Sequence, residues 1–172
     1  MALTSPTDGW AVGSITDFNT SASQGLVMRL NHCHWAPVAL DLPNIGLSNI
    51  SMASATEGWA IGNYTDSSAS VLLHYRDGAW NKVPLPADPT VAEIYVSDDF
   101  SDVAAAGPDN VWLVVDTPKT TQGQMSPMPL LHVVSGQWAS VGSPLPIIDS
   151  LAPLGSNDLW IVGQTSTSAI SA

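Results

Sequence analysis

The chain has 172 residues, of which 45% are hydrophobic, so it is long enough to fold as one domain around a real core. Asp and Glu number 15 against four Lys and Arg, and the net charge is −11. Nucleic acids and anionic lipids are bound mainly through Lys and Arg, so this charge argues strongly against both as partners. The longest apolar run, Val111–Val115, is far shorter than the about 20 residues of a membrane-spanning helix, and we expect no membrane insertion.

The single cysteine, Cys33, leaves no internal disulfide and no cysteine zinc cluster. It does not identify the compartment. The scarcity of Lys beside many Ser, Thr and Asn residues resembles secreted bacterial domains, and it slightly favours an extracytoplasmic location.

A short apolar motif centred on a tryptophan occurs four times along the chain. Its copies read DGWAVG at 8–13, EGWAIG at 57–62, NVWLVV at 110–115 and DLWIVG at 158–163. Successive tryptophans are separated by 49, 53 and 48 residues. This period is typical of the blades of a β-propeller.

Each repeat predicts four short strands, A to D, joined as a meander. An apolar residue nine positions before the tryptophan marks strand A, and the tryptophan itself lies on strand B. An apolar stretch then forms strand C, and strand D starts at a second tryptophan, which is Trp35, Trp80 or Trp138. A Leu-Pro pair closes each of the first three units, as expected where a strand ends at the outer edge of a sheet.

Strand B is apolar on both faces, as the run Val111–Val115 with its central Leu113 shows. A strand with a neighbouring sheet on each side needs this pattern. We therefore predict an all-β fold made of β-propeller blades, each a four-stranded antiparallel meander, with almost no helix. The predicted blades cover 1–43, 47–86 and 101–146, and a half blade follows at 149–164.

About three and a half blades cannot close a ring, because closed propellers have about four to eight. We expect an open ring that is a piece of a longer propeller. The alternative is one ring assembled from two chains. In that ring both half blades would consist of strands A and B, so neither would complete the other. A terminal blade without a neighbour exposes an apolar face, so the isolated chain is expected to self-associate through its open blade faces.

A unit of about 50 residues with two tryptophans, and with an aromatic residue five positions before the second as in Tyr75 and Trp80, resembles kelch-type propellers. Kelch strands end in a double glycine, where this chain has Val-Gly, Ile-Gly or Val-Val. The hairpins that lead to Trp80 and Trp138 are similar to the sialidase-type Asp-box only in their turn glycine and tryptophan. The resemblance implies a propeller along nearly the whole chain.

A meander places the A–B and C–D turns on one rim, here called the turn rim, and the B–C and D–A connections on the other, the loop rim. The turn rim consists of short turns rich in Asp, Asn and Gly, whose acids we interpret as structural. The loop rim is irregular, and such loops on a rigid scaffold are where binding sites usually lie. We predict a protein or glycan ligand there, and the candidate ligand-binding residues are Phe18, Tyr64, Asp66, Tyr95 and Asp116.

Histidine recurs at one position of the repeat. His74 and His132 lie six residues before the second tryptophan, and Arg29 fills the same slot in the first unit, so the slot is interpreted as structural. The segment His32–His34 offers two imidazoles and a thiol to a soft metal, but on a strand the thiol points away from both histidines. We predict no metal site there.

The acidic group Asp98, Asp99 and Asp102 lacks the spacing of a calcium loop and is predicted to be a solvated turn. No nucleophile elbow or phosphate loop occurs in the sequence, so we predict no catalytic residues and no cofactor. The favoured hypothesis is a non-catalytic binding scaffold, such as the sensor or adhesive part of a larger protein. The alternative is a piece of a propeller glycan hydrolase, sialidase- or glycosidase-like, which would need paired carboxylates at a pocket.

Overall fold

The fold is given by a computed structural model that describes residues 1–19, 23–40, 42–67, 69–86, 99–116 and 128–164. Every regular element within these ranges is a β-strand. The described residues contain no helix, and hence none of the length and apolar character that would span a membrane.

Within these ranges three sheets have four strands each and a further sheet has two. The first sheet contains β1 (Ala2–Ser5), β2 (Asp8–Thr16), β3 (Ser23–Asn31) and β4 (His34–Val38). The second contains β5 (Ile45–Met52), β6 (Gly58–Tyr64), β7 (Ser70–Arg76) and β8 (Ala79–Lys82). The third contains β9 (Asp99–Gly107), β10 (Asn110–Asp116), β11 (Leu130–Val134) and β12 (Gln137–Val141). The two-stranded sheet contains β13 (Ile147–Pro153) and β14 (Leu159–Gln164).

Strands that follow one another in sequence are antiparallel neighbours in every sheet, so each of the first three sheets is a four-stranded meander. This confirms the predicted all-β fold of propeller blades in an open arrangement. The four sheets are called blades 1 to 4 below. The fourth strand of blades 1 to 3 begins one residue before its tryptophan. The blade boundaries at 1–43, 47–86, 101–146 and 149–164 stay predictions.

The core consists of three clusters, one between each pair of successive blades. Strand β10 serves two of them, because Val111, Leu113 and Val115 pack toward blade 2 while Trp112 and Val114 pack toward blade 4. Burying each large side chain contributes about 1.5–3 kcal/mol. The two-faced apolar pattern of strand B is therefore explained by a blade on each side.

Strand A carries a β-bulge at the same place in blades 2, 3 and 4. The bulged residues, each eleven positions before the tryptophan of strand B, are Ser48, Ser101 and Asp149. A bulge adds one unpaired residue and bends the strand locally. The β-bulge is thus part of the structural repeat, although no sequence motif indicates it.

The prediction of a solvated acidic turn is wrong for Asp99 and Asp102, which lie on β9, while Asp98 lies outside the described residues. The Asp102 carboxylate accepts hydrogen bonds from the Leu151 and Val103 backbone N–H groups, both at 2.9 Å. It also accepts one from Asn49 Nδ2 at 3.2 Å, and so connects blades 2, 3 and 4. Burial raises the pKa of Asp102, and the two backbone hydrogen bonds oppose that rise.

The strand interpretation of the segment His32–His34 is wrong for His32 and Cys33, whereas His34 begins β4. His32 and Cys33 form the two-residue turn between β3 and β4, with φ angles of 48° and 64°. Asp77 and Gly78 occupy the same turn of blade 2, again with positive φ. Two-residue hairpin turns of this kind require positive φ at both positions, which is why Asp and Gly are the usual residues.

Candidate binding site

A cavity of about 530 Å³ opens on the loop rim of blade 2. Tyr64 ends β6, Ser70 begins β7 and Lys82 ends β8, so three adjacent strands each supply one polar side chain to its wall. The edge strand β8 ends two residues before Pro84, which has no backbone N–H to donate to a further strand. The other described residues of the wall are Ala69, Pro84 and Leu85, which are apolar.

Lys82 is the cation of this cavity. Its ammonium donates a hydrogen bond to the Tyr64 hydroxyl and lies 4.8 Å from the centroid of the Tyr64 ring, a cation–π distance. Lys82 forms no salt bridge with any carboxylate of the described residues. Within the described ranges, its positive charge is thus not neutralised by a carboxylate.

The floor of the cavity is tied to the next blade. The Ser70 side chain is buried, and its Oγ accepts a hydrogen bond from the Phe100 backbone N–H at 3.2 Å. Asn63 Nδ2 donates to the Asp99 carboxylate at 2.5 Å, which makes a second connection between blades 2 and 3 on this rim. The two contacts hold β6 and β7, which carry Tyr64 and Ser70, against blade 3, so the site is built on rigid elements.

A second cavity, of about 330 Å³, lies at the corresponding place on the loop rim of blade 1. Ile15 is five residues after the strand-B tryptophan, as Tyr64 is in blade 2. The Asp17 carboxylate also contributes to the wall and accepts a hydrogen bond from the Asn19 backbone N–H at 2.8 Å. The remaining lining residues are Ser23, Gln24, Pro43 and Asn44. The loop rim thus has a concave surface at corresponding places of blades 1 and 2, with different chemistry in the two.

The structure places four of the five predicted site residues. Tyr64 lines the blade 2 cavity, and Asp66 is exposed in the same B–C loop without lining it. Phe18 is 94% exposed in the B–C loop of blade 1. Asp116 is exposed at the end of β10, opposite Asp99 of β9. The fifth residue, Tyr95, lies outside the described residues.

Sequence reasoning missed Lys82 and Asp17. The repeat marks strand D only by its tryptophan, so the motif gives no direct sign of Lys82. The available signal was topological, because strand D of a meander ends on the loop rim and Lys82 is one of only four cations in the chain. Asp17 directly follows strand B, the position from which the B–C loop begins.

The turn rim has a different character, because its charged side chains pair with one another. Glu57 Oε1 lies 3.1 Å from His74 Nε2 and accepts a hydrogen bond from the Asp109 backbone N–H at 2.9 Å. Arg76 Nη1 donates to both Asp109 carboxylate oxygens, at 2.7 and 2.9 Å. Blades 2 and 3 are thus connected by two acids, an imidazole and a guanidinium.

Blade 3 repeats this arrangement with neutral partners. His132 Nε2 lies 2.8 Å from Asn110 Oδ1, and Asn110 Nδ2 donates to the Ser156 carbonyl of blade 4 at 3.0 Å. The second contact fixes the amide orientation, so His132 is the donor in the first. Partial burial lowers the pKa of His132, which favours its neutral form.

The recurring histidine slot lies over the strand-B tryptophan. His74 stacks on Trp59 with ring centroids 3.8 Å apart, and His132 stacks on Trp112 at 3.7 Å. In blade 1 the Arg29 guanidinium takes this place, 4.5 Å from the Trp10 ring centroid. These stacks explain why the slot accepts either an imidazole or a guanidinium.

Among the described residues, Glu57, His74 and Asp109 bring three potential metal-ligand atoms within 4.8 Å of one another. A carboxylate–imidazole set of this kind could coordinate a divalent transition metal. Arg76 already donates hydrogen bonds to the Asp109 carboxylate, however, and in blade 3 the amide of Asn110 takes the position of Glu57. We therefore interpret the cluster as a connection between blades.

No family profile and no curated protein matches the sequence. Two solved structures have a similar backbone. YCF48 from Cyanidioschyzon merolae is 18% identical with a TM-score of 0.46, and the match covers 76% of this chain and 42% of that one. The GH74 xyloglucanase from Xanthomonas campestris is 15% identical with a TM-score of 0.47, and the match covers 77% of this chain and 22% of that one. At these values neither similarity carries an argument about function.

Proposed function

We propose that this protein is a non-catalytic propeller scaffold that binds a glycan or protein ligand on its loop rim. The observation that carries the proposal is the blade 2 cavity, where Tyr64, Ser70 and Lys82 lie beside apolar residues and Lys82 has no salt bridge among the described residues. Small-ligand sites have this composition, a largely apolar concavity with a few placed polar groups. A role as the sensor or adhesive part of a larger protein fits such a surface.

The chemistry of the cavity favours a ligand with an anionic or hydroxyl-rich group. The Lys82 ammonium can donate hydrogen bonds to a carboxylate or to sugar hydroxyls, and the Tyr64 hydroxyl can accept or donate one. The kelch-like character of the repeat belongs to the same proposal. It is supported by the period of the tryptophans and by the paired tryptophans of each unit.

The competing hypothesis is a glycan hydrolase. Retaining and inverting glycosidases both place two carboxylates across the scissile bond, with separations of about 5–9.5 Å. Of the residues described as lining the two loop-rim cavities, one is an acid, Asp17. The binding hypothesis therefore has the more direct support, and product analysis separates the two.

The test applies labelled wild-type protein to glycan and peptide arrays, followed by mass analysis of the strongest ligand after prolonged incubation. We expect saturable binding with the ligand recovered intact. Tyr64→Ala should weaken binding by at least about tenfold, because an aromatic anchor is lost. Val134→Ser, which changes an exposed residue on the turn rim, is the matched control and should bind as wild type. Released sugar, or no binder on either array, would overturn the proposal.

A further inference from the structure

The two polar side chains that meet in the blade 2 cavity both offer hydrogen-bond donors to a ligand. The Lys82 ammonium has three N–H donors and no acceptor, and it uses one of them on the Tyr64 hydroxyl oxygen. Because that oxygen accepts from Lys82, the Tyr64 O–H proton is left for another acceptor, and none within the described ranges takes it. Lys82 and Tyr64 therefore present donors side by side.

Two acceptors in the wall of this cavity are engaged within the fold. The Ala69 carbonyl accepts a hydrogen bond from the Tyr64 backbone N–H at 2.9 Å, and Ser70 Oγ accepts one from the Phe100 backbone N–H at 3.2 Å. A ligand hydroxyl both donates and accepts, whereas a carboxylate only accepts. The pair of donors therefore matches the two oxygens of a carboxylate better than it matches a hydroxyl.

The charge of the cavity also favours a carboxylate. No acid is among the described residues that line it, and Lys82 forms no salt bridge within the described ranges. A hydrogen bond to an ionised group is about twice as strong as one between neutral groups. The net charge of −11 repels anions, but at physiological ionic strength the Debye length of about 8 Å limits this repulsion to nearby acids. Repulsion grows with the charge of the ligand, so a single carboxylate is favoured over a polyanion.

The segment after β8 disfavours a peptide as the source of that carboxylate. Peptides commonly bind by adding a strand to a sheet edge, where main-chain hydrogen bonds supply the affinity. Strand β8 is an edge strand of blade 2, and the chain continues at 84–86 as Pro-Leu-Pro, in which only Leu85 has a backbone N–H. The cavity volume of about 530 Å³ lies in the range of small-ligand sites, about 300–1,000 Å³. A sugar ring, with apolar C–H groups for Pro84 and Leu85, suits this wall.

We propose that the blade 2 cavity binds an acidic sugar, whose carboxylate accepts hydrogen bonds from Lys82 Nζ and from the Tyr64 hydroxyl. The sugar ring packs against Pro84 and Leu85. This inference rests on the proposed function and narrows its ligand to a glycan with one sugar carboxylate at this site.

Calorimetric titration with matched pairs of trisaccharides tests the inference. One member of each pair ends in a single glucuronic or galacturonic acid, and in the other member that carboxyl group is reduced to the neutral alcohol. We expect at least one acidic trisaccharide to bind wild type with a Kd at least about tenfold lower than that of its neutral partner, because the neutral group loses the charge-assisted hydrogen bonds.

Combining the change in the ligand with changes in the protein identifies the groups that contact the carboxylate. Lys82→Met should reduce the preference for the acid to less than about twofold. Tyr64→Phe keeps the ring but removes the O–H donor, and should reduce the preference by about threefold. Arg76→Met, the matched control, removes a cation of the turn rim and should keep the wild-type preference. Thermal melts check that all three variants fold.

The outcomes separate this inference from the proposed function. Equal binding of the acidic and neutral members, or a preference that Lys82→Met retains in full, would overturn the acidic-sugar inference and leave a loop-rim binding scaffold intact. So would failure of every acidic trisaccharide to bind while a peptide or a neutral glycan of the arrays does bind. If no array ligand binds either, the proposed function is overturned as well.

Discussion

Blade 2 has two cations at its opposite ends, and their surroundings differ. Arg76 lies on the turn rim, where both oxygens of Asp109 accept its hydrogen bonds. Lys82 lies on the loop rim, where it contacts Tyr64 beside an open cavity and has no salt bridge among the described residues. The charge of Arg76 is used to hold two blades together, whereas the charge of Lys82 meets no carboxylate within the described ranges.

The same contrast extends along both rims. On the turn rim, polar side chains pair across blades, as Glu57 does with His74 and with the Asp109 backbone. On the loop rim, contacts such as the one from Asn63 to Asp99 coexist with cavities in blades 1 and 2. We therefore interpret polar residues that hydrogen-bond to one another as structural. Polar residues that line a cavity are the candidates for ligand binding. Two pairs of substitutions test this contrast directly, and changes at the turn of blade 1 and at His132 sharpen the structural side of it.

Replacing the aromatic residue under the turn-rim stack should have the largest effect. Trp59→Ala removes a 3% exposed side chain and its stack with His74, and should lower the free energy of unfolding by about 3–5 kcal/mol. Tyr64→Ala on the loop rim should cost about 1 kcal/mol, since Tyr64 is only partly buried. Urea denaturation measures both. Equal losses at the two rims would contradict the contrast.

Removing the acid of the turn-rim cluster should have the next largest effect. Glu57→Ala leaves the His74 imidazole and the Asp109 backbone N–H without their acceptor, which should cost about 1–3 kcal/mol. Lys82→Ala should change stability by less than about 0.5 kcal/mol, because Lys82 is exposed. If the two variants unfold at the same urea concentration, the Glu57 contacts are not stabilising.

A stabilising substitution is expected at the turn of blade 1. Cys33 has a φ of 64°, a conformation that is unfavourable for a side chain with a Cβ, whereas glycine adopts it freely. Cys33→Gly should raise the free energy of unfolding by about 0.5–1 kcal/mol. The matched change Gly78→Ala, at the equivalent turn of blade 2, should lower it by a similar amount. Thermal melts of the two variants should shift in opposite directions.

The smallest expected effect is a pH dependence at His132. Its folded pKa is lowered by burial, so as pH falls through the unfolded value of about 6.5 the unfolded chain takes up a proton first. The stability that His132 contributes is present above that pH and is lost as pH falls toward its folded pKa. The stability difference between wild type and His132→Gln should therefore shrink between pH 7.5 and 5. A constant difference would argue against partial burial of this imidazole.

The blades could be predicted from sequence because one motif recurs at a nearly constant period and both faces of its strand are apolar. Tyr64 was predicted as a site residue because it follows such a strand on the irregular rim. The turn at His32 and Cys33 was missed although the signal existed, since these residues stand as far before Trp35 as Asp77 and Gly78 stand before Trp80.

Other features could not be predicted, because they depend on contacts between residues far apart in sequence. The Asp102 carboxylate is partly buried and accepts a hydrogen bond from the Leu151 N–H of β13, a strand of the next blade. The exposure of Trp160 likewise depends on which sheet lies beside it, since its motif matches those of the buried Trp59 and Trp112. Local sequence patterns therefore predict the strands of a blade, whereas the burial of each face depends on the neighbouring blade.

Calorimetric titration of the strongest array ligand into three proteins tests the central claim most directly. The proteins are wild type, Lys82→Met on the loop rim and Arg76→Met on the turn rim, which remove the two cations of the same blade. A loop-rim site predicts that Lys82→Met raises the Kd by at least about tenfold while Arg76→Met leaves it within about twofold. Unchanged binding by Lys82→Met, or an equal loss in both variants, would contradict the assignment of binding to the loop rim.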